Sequence, residues 1–527
     1  MHSECLSPFV ISVRSVALHI VVCKLIAVSP PFIAAGAECT RKFPTNFPAS
    51  QCAPAPAAMR YQPDKLISHP SINHLFDFPS INEAQLSNLR IIRACCWVSL
   101  FVFCSLLGAS AKVAADLPTH AINVRNAPYR AKGDGKTDDT RAFQAALNAA
   151  GAKGGGTVFV PVGTYLIKSH LTVPAGTSLV GVARAPQLYD PKLPGSTLLA
   201  VEGAGSIEST AFLTLEGPNT TLEGITVFYP NQIVSEAPTL YPWTVQAGAQ
   251  ANISLLNVLL VNPYQAVSLV GAGRHTIRGL YGQPLSKGIW VDKCYDVGRI
   301  EDVHFWPFWS LDKRVLNFQW AQATAFIFQR TDWEIVQNAF CWGYRVGIEF
   351  SASKDGAMNG QLTNIGLDAV DIGILARETQ GPGVSFSNLS IANDNNGKDH
   401  IAIWGQEGQK DAANRVITGT SFLYINGGSF WGVWNRVVKW ETPGVITLGS
   451  SRLTPFRLNG PMVEILAGQA TLHDNTFAMY PRVTSKKGVA ISLGATAESV
   501  LVHDNQLNGH TIENQAGDRA TIHHNRP

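Results

Sequence analysis

The chain has 527 residues, 46% hydrophobic and 15% charged, with 46 glycines and a formal net charge of +3. This is a globular composition and excludes a chain that is disordered as a whole. No uninterrupted apolar run is long enough to cross a membrane as a helix.

The first 88 residues are Pro-rich, carry four cysteines and show no sustained periodicity. The apolar stretch Phe9 to Val28 is broken by Arg14 and Lys24. An over-extended start, with translation beginning near Met59 or Leu89, makes residues 1–88 a non-native or disordered extension. Residues 89–111 then read as a secretory signal peptide. Arg90 and Arg93 precede the apolar run Ala94 to Leu107, and Ala109-Ser110-Ala111 is a small-residue cleavage site. The mature chain is therefore expected to be secreted or periplasmic, with no membrane association after cleavage. Residues 1–111 hold 8 of the 41 basic and 5 of the 38 acidic residues, which leaves 33 of each beyond them. A neutral mature chain argues against nucleic acid as a partner. Of the cysteines only Cys294 and Cys341 remain, either as one bridge or as two buried thiols.

Residues 112–527 are read as one domain, because one six-residue pattern recurs through them: apolar, any, Asn/Asp/Gly, Val/Ile/Leu/Asn, any, apolar. It runs Leu222 to Val227, Leu255 to Leu260, Ile300 to Phe305, Leu362 to Leu367, Phe386 to Ile391, Leu472 to Phe477 and Val502 to Leu507, with looser copies from Ile277, Ile417 and Ile522. Starts lie 20 to 33 residues apart, except for two gaps of 62 and 55 that each fit two coils. In a solenoid the turn residue sits between two short strands, and the apolar positions stack on their equivalents one coil away. Asn475, Asn505 and Asn525 are expected to hydrogen-bond along that stack. A β-sandwich also has many short strands, but its turns come every 8 to 12 residues without this fixed register.

A third strand follows each repeat, as in Gly288 to Asp292, Gly347 to Phe350, Asp371 to Leu375, His400 to Trp404 and Val463 to Ile465. Alternation predicts Ile289, Val291, Ile348, Phe350, Ile372, Ile374, Ile401 and Ile403 inward. It predicts Trp290, Asp292, Glu349, Asp371, Gly373, Trp404 and Glu464 outward. The expected fold is all-β: a right-handed parallel β-helix capped by one N-terminal helix. In that helix, Arg141 to Ala150, the residues Phe143, Ala146, Leu147 and Ala150 form one apolar stripe and Asp138 to Thr140 can cap it. The glycines of Gly151 to Gly156 are not a phosphate loop, since no Gly-Lys-Ser/Thr follows.

Residues 122–181 resemble the start of the pectate-lyase-like superfamily, in its family 28-related glycoside hydrolase and pectate lyase 3 type branch. The carrying residues are Asn123-Val124, Gly133-Asp-Gly-Lys-Thr-Asp-Asp-Thr140, Gly154-Gly-Gly-Thr-Val-Phe-Val-Pro161, Gly163-Thr-Tyr-Leu-Ile167 and Ser178-Leu-Val-Gly181. The resemblance implies a secreted carbohydrate-active protein with a polysaccharide partner. It leaves the reaction open, because the four motifs of true polygalacturonases are not present as a set; Gly273-Arg-His-Thr and Gly366-Leu-Asp-Ala are echoes only.

Glycosidic cleavage needs two carboxyls about 5 to 9.5 Å apart. Glu349 and Asp371 project from successive coils, Asp292 lies about two coils before Glu349, and Asp332 stands at the edge of the same face. These four are the candidate acid, base and nucleophile. Trp290, Trp404, and Trp306 and Trp309 in a loop expected to overhang this face offer flat surfaces for sugar rings, with Arg345 and Arg377 beside them. Trp333 and Trp342 are assigned to the core. A hydrolase needs no metal and no cofactor. A lyase would use Arg345, Arg377 or Lys293 as base, with Ca2+ held by Asp292 and Glu349. A non-catalytic glycan binder is the third reading, and self-association into a homo-oligomer is compatible with all three. His523-His524 lacks ligand partners at zinc spacing and is read as surface.

Overall fold

The computed structural model describes residues 120–183, 193–406, 419–480 and 487–527. The expected extension, the signal peptide and the loose repeat at Ile417 lie outside them. Each repeat forms one coil, and the coils build two parallel sheets of 21 and 13 strands, here sheet 1 and sheet 2. The apolar repeat positions align across coils: Leu222 pairs with Leu255, Leu255 with Ile277, Ile277 with Ile300, and Phe386 with Ile425. Burying each such side chain contributes about 1.5–3 kcal/mol, and the same contribution returns at every coil.

The third repeat position is where the strand turns. Asn257, Gly279, Asp302, Asn338, Asn364, Asn388, Asp474 and Asp504 all have φ between 51° and 70°. Glycine, asparagine and aspartate tolerate this left-handed backbone best, which explains the motif. Of the coils without a quoted repeat, one is Val336 to Cys341, turning at Asn338. Two more turn at Gly427 and Ser450 between Phe386 and Leu472. The expected asparagine stack is present: Asn475 Nδ2 donates to Asn505 Oδ1 at 3.0 Å, and Asn505 Nδ2 to Asn525 Oδ1 at 2.9 Å.

Helix α1, Thr140–Gly151, closes the first coil with Phe143, Ala146, Leu147 and Ala150 buried. Asp138 Oδ1 accepts the Thr140 N–H at 3.0 Å. Asp139 turns inward instead, accepting the Lys132 and Gly133 N–H groups at 2.6 and 2.9 Å. Cys294 and Cys341 are two separate buried thiols.

Three orientations differ from the alternation. Ile372 belongs to a small outer cluster with Val346, Leu375 and Trp404, and Ile401 is buried outside the main core. Gly373 faces inward, since a Cβ there would stand 2.6 Å from the Ile391 side chain. The cause is local: Gly373 and Ile374 both turn inward, so the alternation slips by one residue at the start of the strand Ile372–Ala376. Trp333 is not a core residue but 64% exposed, with φ 58°, a left-handed backbone that costs a non-glycine residue about 1–2 kcal/mol. Trp342 is half-buried between two other indoles on the outer surface.

Beneath the corner where sheet 2 returns to sheet 1 lies a fully buried ion pair. His275 Nε2 meets Glu334 Oε1 at 2.9 Å, with both side chains inaccessible. Thr331 Oγ1 donates to Glu334 Oε2 at 2.8 Å, and His275 Nδ1 lies 2.8 Å from the Ala272 carbonyl.

Candidate functional site

Helix α2, Lys313–Gln322, is inserted between a sheet 1 strand and the sheet 2 strand Thr324–Phe328. Asp312 caps it by accepting the Arg314 N–H at 2.9 Å, and Val315, Leu316, Phe318 and Gln319 pack it onto the coils. Its other face, with Asn317 and Trp320, forms one wall of a cavity of about 400 Å³ whose further lining includes Arg345, Asp371 and Asn395 to Lys398. Trp320 Nε1 donates to the Ala369 carbonyl at 3.0 Å and so fixes the helix to the turn that carries Asp371.

Asp371 faces outward yet is only 1% exposed, because the 394–400 loop closes over it. Its Oδ1 accepts the N–H groups of Asp399 and His400 at 2.9 and 2.8 Å. Its Oδ2 is buried and has no hydrogen-bond partner. Burial raises its pKa; backbone N–H groups of the overlying loop, His400 first, oppose this, and the neighbouring Asp399 carboxylate adds to it. Three residues earlier, Asp368 is raised by the same effect: burial leads, the Ala369 N–H opposes, and Asp394 adds repulsion. Three residues of chain put the Cα atoms of these two aspartates at most about 10 Å apart. Arg345, in the cavity lining, is ion-paired with Asp399 Oδ2 at 3.1 Å.

The remaining sequence candidates are not gathered here. Glu349 pairs in register with Leu375, four residues beyond Asp371. The strand rise therefore separates the two carboxylates by about 13 Å along the sheet, and they are not an acid–base pair. Glu349 is instead 3.2 Å from Arg377, which also bonds Gln406. Asp292 is nearly buried, its Oδ1 accepting from the N–H groups of Lys293 and Arg330 and from Ser353 Oγ at 2.9, 3.1 and 2.8 Å. It fastens three coils together. Asp332 is ion-paired with Arg330 at 2.8 Å and accepts from Gln380 Nε2 at 2.7 Å. Both aspartates stand at the far end of the sheet 2 strands.

Among the aromatics, Trp290 stacks on Trp243 with centroids 5.8 Å apart and donates Nε1–H to Gln329 at 2.9 Å. Trp404 packs on Val346, Ile372 and Leu375 and donates to Glu441 Oε2 at 2.7 Å, with Lys439 Nζ 5.3 Å from its ring. The 305–309 loop does not overhang sheet 2. Phe308 lands on Leu259 and Val261, outer residues of sheet 1, and Trp309 on Leu285, Val315 and Phe318. These apolar outer residues give the loop a surface to bury against. Trp306 then begins a row of indoles that leads toward the cavity: Trp306 to Trp342 at 5.5 Å and Trp342 to Trp320 at 6.0 Å. Asp368 is the register partner of Trp342 on the next coil. Sequence reading missed Trp320 because an inserted helix carries no sheet periodicity, and it met Asp368, the last residue of the strand Gly360–Asp368, only within the Gly366-Leu-Asp-Ala echo.

Gly397 sits directly over Asp371. A Cβ there would lie 2.1 Å from the carboxyl carbon, and its φ is +83°. Gly397→Ala is expected to lift the loop and let water reach Asp371. Relief of burial lowers the raised pKa, so any activity that needs the protonated acid should be lost at a lower pH than in the parent chain. An unchanged pH profile would show that the loop does not control this carboxyl.

Among the described residues, no cluster of His, Cys, Asp and Glu is arranged to hold a metal, and no helix is long and apolar enough to cross a membrane. The family described as rhamnogalacturonase A/epimerase, pectate lyase-like, matches residues 121–233. Alginate lyase 7 of Azotobacter vinelandii is 33% identical over 132 residues, 22% of this chain and 15% of that protein. Mannuronan C5-epimerase AlgE1 of the same organism is 43% identical over 60 residues, 10% of this chain and 4% of its own length. The chain thus covers only a small part of these relatives. A tailspike protein mutant of E. coli bacteriophage HK620 in complex with pentasaccharide superposes with a TM-score of 0.50 at 11% identity, covering 76% of this chain and 80% of that one. Coil register and capping helix show an all-β parallel solenoid, and its residues 121–233 are similar to the rhamnogalacturonase A/epimerase, pectate lyase-like family.

Proposed function

We propose that the chain is a polysaccharide-cleaving enzyme, a glycoside hydrolase whose acid is Asp371 and whose base is Asp368. The observation that carries this is the buried, unpartnered Oδ2 of Asp371 in a cavity wall, on a carboxyl that burial holds protonated above the usual range. With the 394–400 loop lifted from the carboxyl, protonated Asp371 would give its proton to the glycosidic oxygen as the bond to the anomeric carbon breaks. Water adds to that carbon, and Asp368 takes the proton the water releases. The indole row supplies faces for neighbouring sugar rings, and Arg345 with Lys398 suits a substrate carrying carboxylates. Relatives named for acting on alginate and mannuronan, and a fold neighbour seen with a pentasaccharide, support a glycan as substrate.

A second reading, β-elimination, is favoured by the same two cations and by the alginate lyase similarity. The test is the full chain incubated with alginate, polygalacturonate and neutral glucans, with and without chelator. New reducing ends without ultraviolet absorbance support hydrolysis; an absorbing unsaturated product supports elimination. Loss of cleavage on chelation, restored by Ca2+, would place a metal in the reaction. No product from any glycan would leave a binding protein. Export belongs to the same proposal: secreted material should begin at or near Lys112, and a chain retained intact in the cytosol would overturn it.

A further inference from the structure

The opposite end of the sheet 2 strands carries an arrangement that the cavity chemistry does not use. Tyr295 and Trp333 are 58% and 64% exposed. They sit on successive coils, since Cys294 bridges Thr331 in parallel.

Trp333 contributes little burial, yet its left-handed backbone is clamped from several directions. Its N–H donates to Asn359 Oδ1 at 3.0 Å, and the Glu334 N–H to the Asn359 carbonyl at 3.2 Å. Asn359 in turn donates to Gln380 Oε1 at 2.7 Å, and Gln380 to Asp332 Oδ1 at 2.7 Å. A glycine would adopt this turn without strain, so the fold holds an indole in water at a position where no packing calls for one. The neighbours are polar: Arg330 lies 5.3 Å from the Tyr295 ring centroid, and Lys293 pairs with Asp355 at 3.2 Å. No other exposed large hydrophobic residue among the described residues stands within this corner's turns. Two isolated rings edged by charges suit a hydroxylated pyranose; a protein partner would need a wider apolar patch.

We infer that Tyr295 and Trp333 form a second sugar-binding platform, separate from the Asp371 cavity, that holds a distant part of the same polymer. This rests on the polysaccharide reading. The test is affinity electrophoresis of the full chain through gels containing alginate, polygalacturonate or dextran, beside cleavage of short oligosaccharides of the same three polymers. Trp333→Gly removes the ring while keeping the turn, so folding is safeguarded and thermal stability should hold or rise. It should weaken retention by at least one polymer roughly three- to tenfold, with short-oligosaccharide cleavage unchanged. Tyr295→Ser should act in the same direction. Retention lost in Trp333→Gly by a chain that cleaves nothing would uphold the platform while the hydrolase reading fails. Unchanged retention in both variants, or a wild-type chain retained by none of the polymers, would overturn the platform. A change in sedimentation with retention intact would also overturn it, and assign the rings to a protein interface.

Discussion

Asp371→Asn is expected to lower turnover by roughly 10²- to 10⁴-fold while leaving glycan binding close to that of the parent chain. Asparagine keeps the shape of the side chain and an acceptor for the Asp399 and His400 N–H groups, but has no proton to give. The pH dependence has a definite sign. Because the folded pKa is raised, activity needing the protonated acid is present below that pKa and lost as pH rises through it. Stability follows the same direction: the folded state binds this proton more tightly than the unfolded chain, so ionisation at neutral pH destabilises the fold. The asparagine variant should therefore unfold at the same or a higher temperature at pH 7, a gain in stability accompanying a loss of function. Asp368→Asn should remove the rise in activity on the acidic side, where the base ionises. By contrast, Glu349→Gln should stay within a few-fold of wild type, since its partly exposed pair with Arg377 is worth under about 1 kcal/mol. Turnover surviving in Asp371→Asn, or falling equally in Glu349→Gln, would move the chemistry back to sheet 2.

The second large effect is structural. His275→Ala or Glu334→Gln should destabilise the middle coils by about 3–5 kcal/mol, because each leaves a fully buried polar or charged partner without its counterpart. Burial alone would lower the His275 pKa, but the Glu334 carboxylate and the Cys294 contact outweigh it and push it up to about 10. With a folded pKa above the unfolded value, the stabilisation is fully present below about pH 6.5 and is lost as pH rises toward about 10. Urea midpoints at pH 6, 8 and 9.5 should fall for the parent chain across this range. They should change less for His275→Ala, which has already lost the pair. A coil array need not unfold in one step, so hydrogen exchange of the 275–334 strands is the sharper measurement. A flat profile in the parent chain would show that the pair is not the charged one described.

The solenoid could be read from the sequence alone because its causes are local. A left-handed turn at Asn257 or Asp302 needs only its own residue type, and Leu255 stacks on Leu222 because the spacing repeats. The helix stripe of Phe143, Ala146, Leu147 and Ala150 is equally local. Outward carboxylates and indoles could be assigned to a face by the same alternation, and Glu349, Trp290 and Trp404 do face outward. Alternation carries no information on how far along a strand two residues stand, which is why Glu349 and Asp371 looked adjacent. Nor does it report what covers an outward residue. Asp371 became a buried acid because the 394–400 loop returns over it with Gly397 in contact. Its cavity exists because α2, four strands earlier in the chain, is fixed there by Trp320 on the Ala369 carbonyl. Trp333 reached the surface at a left-handed turn before its strand, whereas Trp342 points outward by the alternation of its own strand beside buried Cys341. A repeat sets which way a strand's residues point, whereas insertions and turns, whose contacts span distant parts of the chain, decide which of them meet.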